Sequence, residues 1–208
     1  MTDRPPWETE PDSLEFEAEG LRCVMLRNHF GIWCGYVGVD RDHPLHGLPT
    51  NHPLKLPMSW FEGRRGLEGS GPMDLFLHIV RGKKLDDACE ISLALQVHGG
   101  VNFGEDHVPD REPDGRWWFG FDCGHGGDYM PKLPFSVAQI TGEIIASMPE
   151  HVRGTMREIM SKTAAQTGDY RDQQYVVSEC QSLAAQLNAI VRVLDREETH
   201  GGTGDQRA

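Results

Sequence analysis

The sharpest hydrophobic pattern in this 208-residue chain lies near its C-terminus, where Val176, Cys180, Leu183, Leu187, Ile190 and Leu194 recur at spacings of 4, 3, 4, 3 and 4. That spacing lays one apolar stripe along a helix. It predicts an amphipathic helix of about 25 residues starting near Asp169, with Asp169 as its N-cap. Earlier the period changes to two. LRCVMLRN and IWCGYVGV, joined by the short turn HFG, read as a β-hairpin. Two further β runs follow, DLFLHIV around 74–80 and ISLALQVH at 91–98, and then RWWFGFDC, in which Trp117, Phe119 and Phe121 alternate with Trp118, Gly120 and Asp122. FSVAQITGEIIASM and PEHVRGTMREIMSKTAAQ have helical character, the second opening on a proline that a helix's first turn tolerates. Strands come before helices without βαβ alternation. The expected fold is therefore α+β: a largely antiparallel sheet, built from the N-terminal hairpin and central strands and packed by C-terminal helices.

The remaining segments have no such period. Residues 1–19 carry Asp3, Glu8, Glu10, Asp12, Glu15, Glu17 and Glu19 with Pro5, Pro6 and Pro11, and read as an acidic extended arm tied down by Trp7 and Phe16. Residues 40–73 hold five prolines and His43, His46 and His52, and form a long loop of the kind that is usually functional. Residues 197–208 read as a disordered tail, which leaves 1–196 as one α+β domain.

Composition narrows the partners. A net charge of −12 opposes a general nucleic-acid binder, because phosphate neutralisation needs a basic surface. No apolar run approaches the length of a membrane span, and the acidic N-terminus is unlike a signal peptide, so a cytoplasmic protein with a small-molecule partner is expected. The apolar stripe of the last helix also offers a route to self-association. Five cysteines without CxxC pairing fit reduced thiols better than a disulfide framework.

Glycine and charge converge at two places, QVHGGVNFGED and GFDCGHGGDYMP. The second brings Asp122, Cys123, His125 and Asp128 into seven residues where a hydrophobic strand stops. His98 would add a second imidazole if its strand end lay alongside. Two histidines and two carboxylates suffice to hold a divalent metal such as Mg, Mn or Zn with positions left for water and substrate. His98, Asp122, His125 and Asp128 are accordingly the metal-ligand candidates, and His125 also an acid–base candidate. Ordinary turn chemistry explains Asp and Gly at a strand end equally well. On the last helix, Glu179 beside the apolar stripe is either a solvated edge or a carboxylate that orients a histidine or acts as a base. Gly99, Gly100, Trp118 and Tyr175 are candidates for ligand binding, and Tyr170 and Arg171 could receive an anion.

WETEPD, GLRCVMLRNHFGIWCGYVGV followed by HPLHG, VHGGVNF, WWFGFDCGHGGDYMP and YRDQQYVVSECQSLAAQL, in that order, resemble an uncharacterised family of small bacteriophage, prophage and actinobacterial proteins. The resemblance implies that His98, Gly99, Gly100, Asp122, His125, Asp128, Tyr175 and Glu179 belong to the family pattern. It supplies no activity, and it does not extend to 55–74 or to the tail. Three functional readings follow from the residues. One is a metal-assisted hydrolase of a phosphate ester or nucleotide-like small molecule, with Glu179 and His125 as catalytic candidates. The others are a non-catalytic small-ligand binding or sequestering protein and a structural interaction module.

Overall fold

A computed structural model describes residues 4–57, 60, 89–132, 149–150, 153 and 168–201. In chain order the elements are α1 (Pro6–Thr9), β1 (Ser13–Ala18), β2 (Leu21–Arg27), β3 (Trp33–Val39), β4 (Pro53–Leu54), β5 (Cys89–Glu90), α2 (Ile91–Ala94), β6 (Phe103–Glu105), β7 (Trp117–Asp122) and α3 (Gln173–Gly201). The larger sheet has the order β1-β2-β3-β7-β6 with every neighbouring pair antiparallel, and β4 pairs with β5 separately. This is the α+β architecture that the sequence pattern predicts. No described helix is long and apolar enough to cross a membrane.

The two faces of the sheet follow from strict alternation. Cys23 and Met25 of β2, Trp33 and Val37 of β3, and Phe119 and Phe121 of β7 point to one side. There they meet Val176, Cys180, Leu183, Leu187 and Ile190 of α3, all fully buried. Burying each of these aliphatic side chains stabilises the fold by roughly 1.5–3 kcal/mol. The helix lies unusually close to the centre of the sheet at Gly35, where a Cβ would stand 2.7 Å from both Cys180 Sγ and the Phe121 ring. Glycine is therefore required for the helix to seat. Val24, Cys34, Tyr36 and Trp118 point to the opposite face and pack with Val108 and Phe103.

Four expectations change. Residues 13–18, within the stretch read as an extended arm, form the edge strand of the sheet, in register with β2 from Ser13↔Leu26 to Ala18↔Leu21. Leu14, Phe16 and Ala18 face the core, while Glu15 and Glu17 between them face solvent, a charged edge that resists pairing with other chains. Residues 91–98 are not a strand. Ile91–Ala94 make one helical turn, and the extended link that follows bonds to side chains of α3: Gln96 N–H donates to Gln186 Oε1, and Gln186 Nε2 donates to Gln96 O. An amide side chain thus replaces the ladder that a sheet neighbour would supply. The last helix begins at Gln173, capped by Asp172, whose Oδ1 accepts from Tyr175 N–H at 2.8 Å; Asp169 instead bridges to Asp128. Finally, α3 continues to Gly201. The β run at 74–80, the helical segments at 135–148 and most of 149–166, the loop from 61 to 73 and the last seven residues of the tail lie outside the described residues.

The histidines of the Pro-rich loop tie it down. His43 Nδ1 accepts from Leu45 N–H, so its Nε2–H donates to Leu187 O on α3 at 3.1 Å, and His46 Nε2 meets Gly115 O at 3.2 Å.

Candidate functional site

Three segments meet at one end of α3. The link after α2 carries His98, the turn after β7 carries His125 and Asp128, and the entry to α3 carries Arg171. Backbone pairing joins the second to the third: Asp169 N–H donates to Gly127 O, and Tyr129 N–H donates to Asp169 O. The turn itself is closed by Asp128 N–H on His125 O.

Asp128 is the centre of the arrangement, its side chain only 2 % exposed. Its Oδ2 lies 2.7 Å from His98 Nε2 and accepts from His125 N–H at 3.0 Å, and its Oδ1 accepts from Arg171 Nε at 2.8 Å. Burial alone would push this carboxyl up. The hydrogen bonds from His98 and Arg171 outweigh burial and hold it below the usual value of 3.8, so Asp128 is ionised.

His98 is held on three sides. Its Nδ1 is 2.9 Å from Tyr175 Oη, its Nε2 faces Asp128, and its backbone N–H donates to Glu179 Oε2 at 2.7 Å. Tyr175 and Glu179 stand four apart on α3 and therefore on one face. Because the ionised Asp128 carboxylate only accepts, Nε2 carries the hydrogen it receives, and in the neutral ring Nδ1 accepts from the Tyr175 hydroxyl. Burial, and then the Glu179 charge, push the Tyr175 phenol up, which keeps it protonated.

His125 completes the group. Its ring crosses that of His98 edge-on, with centroids 5.3 Å apart at 72°. Its Nδ1 lies 3.8 Å from Asp128 Oδ2 and 4.0 Å from Asp122 Oδ1, and this nitrogen is buried without a hydrogen-bond partner among the described residues. Gly99 makes room for the ring: with φ +67, a Cβ there would lie 1.9 Å from His125 Cε1. His98, His125 and Asp128 each offer one ligand atom, and these atoms all lie within 4.8 Å of one another. The group could hold a metal ion, and a partnerless imidazole nitrogen beside an ionised carboxylate is the donor chemistry that such an ion uses.

The other candidates fall around this group. Asp122 stands at its rim, with Oδ2 accepting from Asn102 Nδ2 and Oδ1 from Gly124 N–H. Glu179 acts on His98 through the backbone. Gly100 has φ +89 and closes the His98 turn by donating its N–H to Val97 O. Trp118 is buried in the outer face of the sheet with its Nε1 3.3 Å from Asp114 Oδ1, so the structure places it in packing. The Cys123 thiol is buried and pushed far up by burial, then by Asp128, which removes it as a nucleophile.

One group that the sequence pattern does not single out is Glu10. Its Oε2 accepts from Arg27, Trp33 and Tyr170, and its Oε1 from Gln173 N–H. Trp7 packs on Tyr129 and Tyr170, so the chain's first turn braces the residues on either side of Asp128 and Arg171. The WETEPD block is the only sequence signal pointing there. No protein-family model, curated protein or solved structure matches the chain.

Proposed function

We propose that this protein is a metal-assisted hydrolase acting on a phosphate ester or nucleotide-like small molecule. The observation that carries this reading is the convergence of one ligand atom each from His98, His125 and Asp128 within 4.8 Å. Two imidazoles with one carboxylate suit Zn or Mn better than Mg, which prefers oxygen donors. A bound divalent ion supplies Lewis acidity and acidifies water at neutral pH. The chain's own residues do the rest. Tyr175 and Glu179 fix the His98 ring and its backbone, which sets the direction of one ligand atom. Arg171 brings a cation to the same carboxylate and offers its remaining guanidinium N–H groups to a phosphoryl oxygen. His125, with 36 % of its side chain exposed, is the more solvent-facing of the two imidazoles.

The test is metal content and titration. The purified full chain is expected to bind one equivalent of Zn or Mn and to hydrolyse a nucleoside monophosphate or p-nitrophenyl phosphate, losing both with His98→Ala. Absence of binding by a folded protein would sink the reading. One observation favours a second reading: three protein donors already partner Asp128, so its carboxylate is satisfied without an ion. The protein would then bind a small anionic ligand through Arg171 and His98 without turnover, and would return that ligand intact in the presence of EDTA. A phage-type origin, which the family resemblance suggests, suits either reading.

A further inference from the structure

On the face of the sheet away from α3, a groove of about 450 Å³ lies beside the end of β7. Phe30, Ile32 and Met130 line it, with Phe103 set edge-on to Tyr36 at 5.0 Å and 79°. Its volume lies within the range of small-molecule pockets. Among the described lining residues one charge is present, the Asp122 carboxylate, and no cation. Asp122 is also the wall between the groove and the cluster, because its Oδ1 lies 4.0 Å from His125 Nδ1.

The hydrogen-bonding state of Asp122 specifies what the groove accepts. Asn102 Nδ2 donates to Oδ2 at 2.6 Å and Gly124 N–H to Oδ1 at 2.8 Å. A carboxylate offers about four lone-pair sites, so each oxygen keeps capacity for a further donor. A carboxylate with spare acceptor capacity, in a groove whose described lining holds no cation, repels phosphate and attracts N–H groups. The aromatic edges beside it favour a flat, polarisable partner.

We infer that this groove receives the ring of an amino-substituted heteroaromatic, of the kind found as a nucleotide base, with its N–H edge on Asp122. The inference rests on reading the adjacent cluster as the centre that handles the phosphate. It divides the substrate between two surfaces: the base is selected on the outer face of the sheet, and the ester is held at the end of α3, where Arg171 supplies positive charge.

Saturation-transfer NMR and calorimetry on the full chain test it with two pairs of probes, cytidine against uridine 5′-monophosphate and adenosine against inosine 5′-monophosphate, with ribose 5-phosphate as the base-free reference. Each pair exchanges an amino group for a carbonyl at the same ring position. At least one amino base is expected to bind about tenfold more tightly than its partner, as one well-made amino–acceptor pair allows. Asp122→Asn should reduce that preference to within about twofold, and Phe103→Leu, which leaves Asp122 in place, should weaken ring-proton saturation transfer. Equal binding within both pairs, or ribose 5-phosphate binding as tightly as the nucleotides, overturns the inference. Metal uptake, followed separately by Co absorption, distinguishes the failures. A base preference without metal uptake sinks the metal-assisted reading alone, and metal uptake without a base preference sinks the groove alone.

Discussion

Tyr170 donates its hydroxyl hydrogen to Glu10 Oε2 at 2.7 Å, joining the first turn of the chain to the segment that enters α3. Arg27 packs over the Trp33 ring and donates to the same carboxylate oxygen, and its side chain is only 2 % exposed. Removing the acceptor takes one of two carboxylates from a buried guanidinium, the other being the exposed Asp12, 3.2 Å from Nε. Glu10→Ala is therefore expected to cost about 3 kcal/mol, measured by urea unfolding at neutral pH. Loss of under about 0.5 kcal/mol would show that the contact is incidental.

The same residue sets an acid limit. Burial opposes the charge on Glu10, but its donors, from Gln173 N–H through Tyr170 and Trp33 to Arg27, together hold the carboxyl below its usual 4.5. A depressed folded value means that the unfolded chain takes up the proton first. The contribution is complete above about pH 4.5 and is lost as the pH falls through the folded value. Wild-type stability should drop across this interval, and Glu10→Gln should start lower and fall less steeply.

His43 predicts a separate slope nearer neutrality. Burial pushes its imidazole below the usual 6.5; the Leu187 carbonyl and the Asp42 charge oppose that direction without reversing it, and His46 adds to it. The neutral ring is favoured in the folded state, so stability is full above about pH 6.5 and declines as the pH falls toward the folded value. Thermal melts of wild type and His43→Gln between pH 8 and 5 check this, the variant being less stable throughout and flatter over the interval.

Gly99 separates site from fold. An added Cβ would meet the His125 ring, and φ +67 strains any L side chain by roughly 1–2 kcal/mol. Gly99→Ala should stay folded yet lose at least tenfold in metal affinity as the imidazole is displaced. Undiminished Zn or Mn affinity would remove His125 from the site.

Tyr175→Phe and Glu179→Ala touch no ligand atom directly, but each removes a group that fixes His98. Such supporting partners are commonly worth 10–100-fold in metal affinity, and a loss of that order, with the melting temperature nearly unchanged for Tyr175→Phe, is expected in calorimetry.

The elements whose pattern is dominated by packing were legible in the sequence. The stripe from Val176 to Ile190 is buried as its spacing requires, and the alternation around Trp118 and Phe119 sorts correctly between the two faces of the sheet. What was hidden has physical reasons. Ser13–Ala18 alternates apolar with acidic, so its charge masks the strand until the β2 register is seen. Ile91–His98 is apolar enough for a strand, but the backbone N–H groups of Gln96 and His98 bond to Gln186 and Glu179, some eighty to ninety residues further along the chain. His98, His125 and Asp128 were readable as chemistry-bearing residues. Arg171 as the partner of Asp128, and Glu10 as the brace behind it, depend on long-range contacts that no local spacing encodes.

Tyr175, Glu179 and Gln186, spread over about 16 Å of helix axis at 1.5 Å per residue, all reach the strip from Gln96 to His98. The same helix is meshed with the sheet where Cys180 sits over Gly35. In mechanical terms α3 is a toothed rack engaged at two points, and the position of the His98 imidazole is set by helix pitch. A slip of one tooth would pull Tyr175 and Glu179 away from His98 together. A methyl group added at Gly35, against Cys180, should therefore be felt at the imidazole.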